Sequence, residues 1–499
     1  MNARLGETQK VLVVGAGVGG LAASALLARR GYRVVVLERA AAPGGKMRAV
    51  ETAAGPADAG PTVLTMKDVF EDLFRAAGAR LSDRVTLVEE KVLARHFWAD
   101  GGRLDLSRDP EVSAAAVRAF AGTEAEAAFR AFSDRARRLF EAFDAPVMRA
   151  GAPEIGALVA RLARAPGLLA AMAPGRSLAA ELERRFADPR LAQLFARYAT
   201  YVGASPFRAP ALLALIWHAE ASGVWRVAGG MGRLAAAMAD LAQDAGARFE
   251  FGAEVKRLVF ERGRVAGLET AEGLRLGAAS VLFNGDPAAL RGGLLGDEAR
   301  RAVGDAQVTP RSFSAWVWSF AAELEGPPLA HHNVFFGADP RAEFDALAKG
   351  RPPDDPTIYL CAQDRGEGLT PPRLERFEII VNGAPVIGRE TRDEGEDTRC
   401  RELVFGTLKR FGLKFSPPPD PAALTGPSGF AALFPGSGGS LYGLSPRSMT
   451  SAFARPRARS RMPGLYLCGG GAHPGAGVPM AALSGMRAAE AISTDLALT

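Results

Sequence analysis

Lys10-Val-Leu-Val-Val-Gly15-Ala-Gly17-Val-Gly-Gly20, continued through the alanine-rich stretch Leu21 to Arg30 into Val34-Val-Val-Leu37-Glu38-Arg39, decides the fold of this chain. An apolar run, a glycine turn, a helix-forming stretch and a second apolar run ending in an acid spell one βαβ unit. Gly15 permits the tight turn off the strand, Gly17 lets the backbone approach a pyrophosphate, and Gly20 lets the helix pack close on the sheet. The N–H groups and dipole at the helix start then face phosphates. Glu38 falls at the tip of the second strand, where a carboxylate accepts hydrogen bonds from a ribose diol and repels a 2′-phosphate. The unit is a nucleotide cradle.

A matching feature stands at the other end. Gly464-Leu-Tyr-Leu-Cys468-Gly469-Gly470-Gly471-Ala-His473-Pro474-Gly475-Ala-Gly477-Val478-Pro479-Met480 reads as a strand, a glycine loop and a helix start running to about Ser493. Two separated glycine turns imply a ligand long enough to engage both ends of the chain. Between them lie Pro43-Gly44-Gly45-Lys46-Met47-Arg48 and Asp58-Ala-Gly60-Pro61-Thr62, turns that let the backbone pass close to a flat ligand or phosphate.

The 499 residues imply two or three domains, and 48% hydrophobic residues supply ample core. The net charge of +6 comes from scattered arginines rather than one basic block, and no nucleic-acid recognition motif accompanies it, so no nucleic-acid partner is expected. The same charge suits an anionic membrane surface. Cys361, Cys400 and Cys468 show no CxxC spacing, so neither a disulfide framework nor a zinc site is indicated, and a cytoplasmic chain is expected. No stretch reaches the ~18 uninterrupted apolar residues of a spanning helix, so membrane contact would be peripheral, on the inner face.

From Pro110 to Ala199, Ala, Leu, Arg and Phe recur at helical spacing with Pro146, Pro153, Pro166 and Pro174 as breaks, which predicts an inserted helical region. Ile155 to Met172 and Pro210 to His218 are unusually apolar; each reads either as buried core or as a face dipping into lipid beside Arg161, Arg164 and Arg176. A helix from Met231 to Ala245 and strands at Val255–Phe260, Val265–Thr270 and Ser280–Phe283 return the chain to the nucleotide domain. Residues 312–450 alternate, as in Phe313-Ser-Ala-Trp316-Val-Trp318-Ser-Phe320, which predicts a half-buried antiparallel sheet. The expected organisation is a nucleotide-binding domain from 1–75, 226–290 and 456–499, a helical insertion at 76–225, and a substrate-binding sheet domain at 291–455.

Over its whole length the chain resembles the flavin-dependent carotenoid desaturases of the phytoene desaturase family, related to the flavin amine oxidases. The βαβ unit with its Glu-Arg-x4-Gly-Gly tail, the Asp-Ala-Gly-Pro-Thr turn, Ala199–Ala211 and the His-Pro-Gly-Ala-Gly loop carry the resemblance. Phe434-Pro-Gly-Ser-Gly-Gly-Ser-Leu-Tyr-Gly443 and Gly477–Gly485 are similar to the branch acting on hydroxylated or methoxylated C40 carotenoids of phototrophic bacteria, at C-3,4. The resemblance implies an α/β fold with a Rossmann-like FAD-binding domain, an antiparallel-sheet substrate domain and an inserted helical region. It implies that Gly15, Gly17, Gly20, Glu38, Arg39, Gly45, Lys46, Gly60, Pro61 and Thr62 line FAD. Val255 would meet the adenine through its backbone, and Gly469, Gly470, Gly477 and Val478 the ribityl chain and isoalloxazine.

The implied chemistry is removal of two hydrogens from adjacent saturated carbons beside a polyene. Such a C–H is too weak an acid for a side chain, so hydride passes to flavin N5 and a weak base takes the second hydrogen as a proton. The base candidates are Glu220, otherwise a surface carboxylate, and His473, otherwise a structural loop residue. Cys468 reads as a buried strand residue or a flavin attachment point. Trp217, Trp316 and Trp318 either pack or line a polyene slot, and Ser437, Ser440 and Tyr442 would hydrogen-bond an end-group oxygen. His218 fits a core histidine; His331-His332 find no third ligand in the sequence, so no metal is expected. The electron acceptor is left among oxygen, a quinone and another carrier. Competing readings are phytoene desaturation, carotenoid isomerisation, amine oxidation and a carotenoid or flavin carrier without turnover.

Overall fold

In the computed structural model, which describes residues 9–388, 395–448 and 451–498, Lys10–Val14 is the middle strand of a five-stranded parallel sheet. The order is Leu465–Leu467, Ser280–Phe283, Lys10–Val14, Arg33–Glu38, Arg248–Phe251, so the sheet gathers strands from three separate stretches of chain. The edge strand Arg248–Phe251 was not foreseen, because its Arg-Phe-Glu-Phe alternation is too short to register as a period. Val11, Val13, Val34 and Val36 face a layer of three helices, Val18–Arg29, Met231–Asp244 and Val478–Ala497. Leu12, Leu37, Val281 and Phe283 face the antiparallel meander Val255–Glu261, Arg264–Thr270 and Arg275–Gly277. Period-2 alternation thus buries both faces, as a parallel sheet requires. The closing helix sits so near the first that a Cβ on Gly485 would lie 2.0 Å from the Gly19 carbonyl oxygen.

A second sheet has the strand order Lys414–Ser416, Ser314–Glu325, Glu375–Gly383, Ile358–Ala362, His332–Phe335, Val92–Phe97, Arg103–Ser107, with Leu424–Thr425 also on Ser314–Glu325. It is antiparallel except where His332–Phe335 meets Val92–Phe97 in parallel. The segment expected to be a helical insertion therefore contributes two strands before its helices begin; Arg103-Leu-Asp-Leu-Ser107 alternates polar and apolar residues, whereas Val92-Leu-Ala-Arg-His-Phe97 does not. One face of this sheet is an aromatic core in which Trp316, Trp318, Phe320, Phe335 and Phe377 pack under helix Glu396–Arg410.

The insertion is entered and left through one antiparallel pair, Leu87–Glu89 on Trp225–Val227. Its helices begin at Pro110, Thr123, Ile155, Pro166, Leu178, Pro189 and Leu215, with Asp109, Ser177 and Asp188 capping three of them by accepting backbone N–H bonds. Pro210–His218 is mostly core: Ala211, Leu212, Ala214 and Trp217 are buried. Ile155–Met172 divides, with Leu158, Leu168 and Met172 inward and Ile155, Val159 and Leu169 outward at 49%, 57% and 51% exposure. Among the described residues no helix is long and apolar enough to cross a membrane.

Within the insertion, the buried Glu181 carboxylate accepts hydrogen bonds from Arg185 Nε at 2.6 Å, Arg176 Nη1 at 3.0 Å and Arg184 Nη2 at 3.2 Å. Burial alone raises such a carboxyl, but these arginines outweigh it and hold Glu181 at about 2, below the usual 4.5. Because the folded value lies below the unfolded one, the contribution is complete above pH 4.5 and is lost as pH falls toward 2. Thermal melts across that window should show a steeper loss of stability for the wild-type chain than for Glu181→Gln, which lacks the titrating group.

Candidate flavin and substrate site

The glycine turn after Lys10–Val14 and the glycine loop after Leu465–Leu467 lie against each other. A Cβ on Gly19 would stand 2.7 Å from the Gly469 nitrogen, and one on Gly20 would stand 2.2 Å from the Gly15 carbonyl oxygen. Asn284, at the end of the strand between them, bridges the two: its Nδ2 donates to the Gly15 carbonyl at 3.1 Å, and Cys468 Sγ donates to its Oδ1 at 3.4 Å. Cys468, the residue after the strand Leu465–Leu467, is buried, which pushes its thiol pKa up, and it serves as a donor in this bridge. Asn284 is a site residue that sequence reasoning passed over as part of an Asn-Gly-Asp-Pro turn; its place at a strand end beside a glycine loop was the available signal.

The rest of the groove is built outward from this contact. Gly44 and Gly45 run along Ala16 and Gly17, with the Gly44 N–H donating to the Ala16 carbonyl at 2.9 Å. Glu38 is buried at the strand tip, where its carboxylate accepts from the Ala16 N–H at 2.7 Å and the Ala40 N–H at 2.8 Å. The stretch leading to Val255 is tied to that tip by Ala253 N–H on the Glu38 carbonyl at 2.9 Å. Arg39 is exposed and reaches the Ala432 carbonyl at 3.2 Å. Lys46 Nζ donates to the Leu441 carbonyl, and burial lowers its pKa to about 8. The 20-residue helix Val478–Ala497 points its N-terminus into the same loop region, where unpaired N–H groups and the dipole favour negative charge.

The turn Asp58–Thr62 is clamped from both sides. A Cβ on Gly60 would lie 1.9 Å from the Lys46 carbonyl oxygen, so no other residue fits there. Asp58 accepts the Met231 N–H at 2.9 Å and thereby caps the helix that starts there. On the sheet side, Gln363 Oε1 accepts the Asp58 N–H at 2.9 Å, Gln363 Nε2 donates to the Asp58 carbonyl at 3.1 Å, and Tyr359 shares a 2.7 Å hydrogen bond with Thr62. Tyr359 and Cys361 share one face of the strand Ile358–Ala362, and Gln363 follows in the turn just past its end, so a period-2 reading of that stretch would have put the first two together. The described cradle fits an extended dinucleotide: a Cβ-free floor, a carboxylate at the ribose position, and a second glycine loop with a helix N-terminus at the far end.

Glu220 is not on the surface but 2% exposed, accepting from Arg197 Nη2 at 2.8 Å, Tyr198 OH at 2.7 Å and Tyr201 OH at 2.5 Å. Trp217 packs among Phe129, Phe195 and Tyr198 and donates from Nε1 to Ser133 at 2.9 Å. Trp316 and Trp318 belong to the aromatic core on the sheet face turned away from Asp58–Thr62, and Trp316 Nε1 donates to Asp397 at 3.1 Å. His473 Nε2–H donates to the Ala150 carbonyl at 3.1 Å, and burial lowers its pKa, so it is a neutral strap from the glycine loop to the insertion. His218 lies tilted against Phe140 with centroids 5.1 Å apart and planes at 58°. Ser440 pairs with Ser312 at 2.6 Å, Ser437 accepts the Gly439 N–H at 3.1 Å, and burial pushes the nearby Tyr442 phenol up to about 12.

The chain matches the family described as flavin containing amine oxidoreductase over residues 18–493. It is 54% identical to the hydroxyneurosporene desaturase of Cereibacter sphaeroides, over 98% of each chain. To the hydroxyneurosporene desaturase of Rhodobacter capsulatus it is 49% identical, over 97% of this chain and 98% of that one. Among solved structures, a putrescine oxidase triple mutant superposes with a TM-score of 0.60 at 14% identity, covering 98% of this chain and 99% of the other, a likeness of fold.

Glu220 with its three donors is a closed network. Glu220→Gln should destabilise the protein by about 3 kcal/mol through the charge left on Arg197, while kcat of the folded fraction stays within severalfold. A thermal melt and an activity assay normalised to bound flavin separate that outcome from the large kcat loss expected of a catalytic base.

Proposed function

This chain belongs to the flavin-containing amine oxidoreductase family, and from that premise we propose that it is an FAD-dependent desaturase of hydroxylated C40 carotenoids, acting at C-3,4. Likeness along the whole length of two hydroxyneurosporene desaturases is the observation that carries the substrate class. The glycine contact between the two ends of the chain supports the cofactor.

FAD, when bound, supplies the hydride acceptor at N5. The protein binds, orients and screens. Gly15, Gly17 and Gly20 would admit the pyrophosphate against bare backbone, and Glu38, each of whose oxygens keeps a further lone pair beside its one backbone donor, would receive the ribose hydroxyls. Gly45, Lys46, Gly60, Pro61 and Thr62 form the middle of the groove, with Gly469, Gly470, Gly477 and Val478 beyond. The Val478 N–H, at the start of the helix Val478–Ala497, would lie toward the flavin end of the groove and offer a preorganised donor for negative charge there. Of the residues suited to an oxygenated end group, Ser437 and Ser440 already serve the Ser312–Gly443 loop, which leaves Tyr442 as the donor. His473, neutral and with Nε2–H held by Ala150, keeps Nδ1 as a lone pair for the leaving proton.

A C40 substrate must leave a bilayer to reach this site. Ile155, Val159 and Leu169 form an exposed apolar face on Ile155–Arg164 and Pro166–Met172, with Arg164 exposed beside it, as in helices that lie in the headgroup layer. The insertion supports a peripheral attachment through this face.

Expression in a host accumulating 1-hydroxyneurosporene should yield pigment with lengthened conjugation, and a host accumulating only neurosporene should yield little; Tyr442→Phe should narrow that preference. Equal turnover of both substrates would refute the end-group reading. Co-sedimentation with anionic vesicles should fall by about tenfold or more in Val159→Ser/Leu169→Ser, given ~1–2 kcal/mol per buried aliphatic side chain. Unchanged sedimentation would exclude this face.

A further inference from the structure

The sequence offered His331-His332 without a third ligand, but the register of the second sheet supplies one. His332 stands opposite Cys361 across the ladder between His332–Phe335 and Ile358–Ala362. One ligand atom from each of His331, His332 and Cys361 lies within 4.8 Å of the other two, and all three residues are buried. His331 Nε2 is 3.6 Å from Cys361 Sγ. Zinc bound at about 2.0–2.1 Å to nitrogen and about 2.3 Å to sulfur in a tetrahedron sets ligand atoms about 3.4–3.6 Å apart. The His331–Cys361 edge already has that length, and the remaining edges, each no longer than 4.8 Å, need to contract by at most about 1.4 Å.

The second ring nitrogens are arranged as ligating histidines require. His331 Nδ1–H donates to the Arg365 carbonyl at 2.6 Å, which leaves the Nε2 lone pair toward Cys361. His332 Nδ1 is 2.7 Å from Tyr359 OH, which shares its other hydrogen bond with Thr62. With Tyr359 O–H given to Thr62, His332 Nδ1–H donates to Tyr359 and Nε2 carries a lone pair. That Nε2 is buried and has no hydrogen-bond partner, a cost a core histidine avoids and a metal removes. A cavity of about 270 Å³ reaches His331 and Cys361, lined also by Thr62, Arg226, Gln363 and Arg376, and offers both an entry path and room for a water as fourth ligand.

We propose that His331, His332 and Cys361 form a mononuclear zinc site of His2Cys type beneath the Asp58–Thr62 turn. Two neutral imidazoles bind through Nε2 and the Cys361 thiol gives up its proton, which leaves through the cavity to solvent. The ion takes the place of the S–H···Nε2 hydrogen bond, and no electron is transferred. Glu378, directly across the next ladder from Cys361, brings a buried carboxyl alongside the residual positive charge. Because Tyr359 joins His332 to Thr62, the site braces the turn expected to lie on the flavin; it does not depend on which carotenoid the enzyme uses.

The test uses the FAD-loaded enzyme, dialysed against a chelator, loaded with Zn2+ and desalted. Elemental analysis should find one zinc per chain, with affinity reduced at least about tenfold in Tyr359→Phe and retention abolished in Cys361→Ser but intact in Cys400→Ser, whose thiol lies in the separate aromatic core. Flavin absorbance and circular dichroism certify that the variants fold. Co2+ in place of Zn2+ on the unmutated enzyme should show tetrahedral ligand-field bands at longer wavelength than flavin absorption, with a thiolate charge-transfer band, a readout that needs no variant. Zinc no more abundant in wild type than in Cys361→Ser, or a cobalt spectrum without the thiolate band, overturns the proposal.

Discussion

The constraint on which the rest depends is the absence of side chains where the two ends of the chain touch. Gly19 meets Gly469 and Gly485 at distances that leave no room for a methyl group, and Asn284 threads its amide between the first and last glycine turns. The order of the parallel sheet follows from this contact, because the strands before the two glycine turns must flank Ser280–Phe283. The three helices that cover one face are then forced close together, and their alanine-rich surfaces are what allows it. Overpacking by one methylene at such a contact costs about 1–3 kcal/mol, and at this contact it would also part the two halves of the groove.

The second sheet shows how one element serves two purposes through alternation. Trp316, Trp318, Phe377 and Ile379 give one face to an aromatic core, while Ser319, Tyr359, Cys361, Gln363 and Glu378 give the other a polar character. The polar face lies under Asp58–Thr62 and holds that turn by paired hydrogen bonds from Gln363 and Tyr359. The aromatic face carries stability and the polar face carries position, so the large tryptophans that drew notice in the sequence lie on the side away from the turn.

Local signals in the sequence were enough for the βαβ unit, the helix after Gly230 and the meander from Val255, since each depends on periodicity and glycine placement within about thirty residues. What escaped notice depends on register between distant strands. Cys361 joins His331 and His332 only because Ile358–Ala362 lies antiparallel to His332–Phe335, and nothing in either stretch states that pairing. The burial of Glu220 was likewise invisible: its partners Arg197, Tyr198 and Tyr201 lie about twenty residues upstream and reach it by a fold of the insertion. Val92–Phe97 and Arg103–Ser107 were hidden by the helical composition that follows them.

The parallel sheet also dictates a timetable. Leu465–Leu467 is its edge strand beside Ser280–Phe283, and Val478–Ala497 is the helix that seals the first one. During synthesis at ~5–20 residues per second, the nascent chain carries an open flank along Ser280–Phe283 for on the order of ten seconds or more before its cover emerges. Such long-range pairing is slow to form and leaves sticky surface in the meantime. The groove between the two glycine turns is thus closed last, only after Leu465–Leu467 and Val478–Ala497 have joined the sheet and its helical layer.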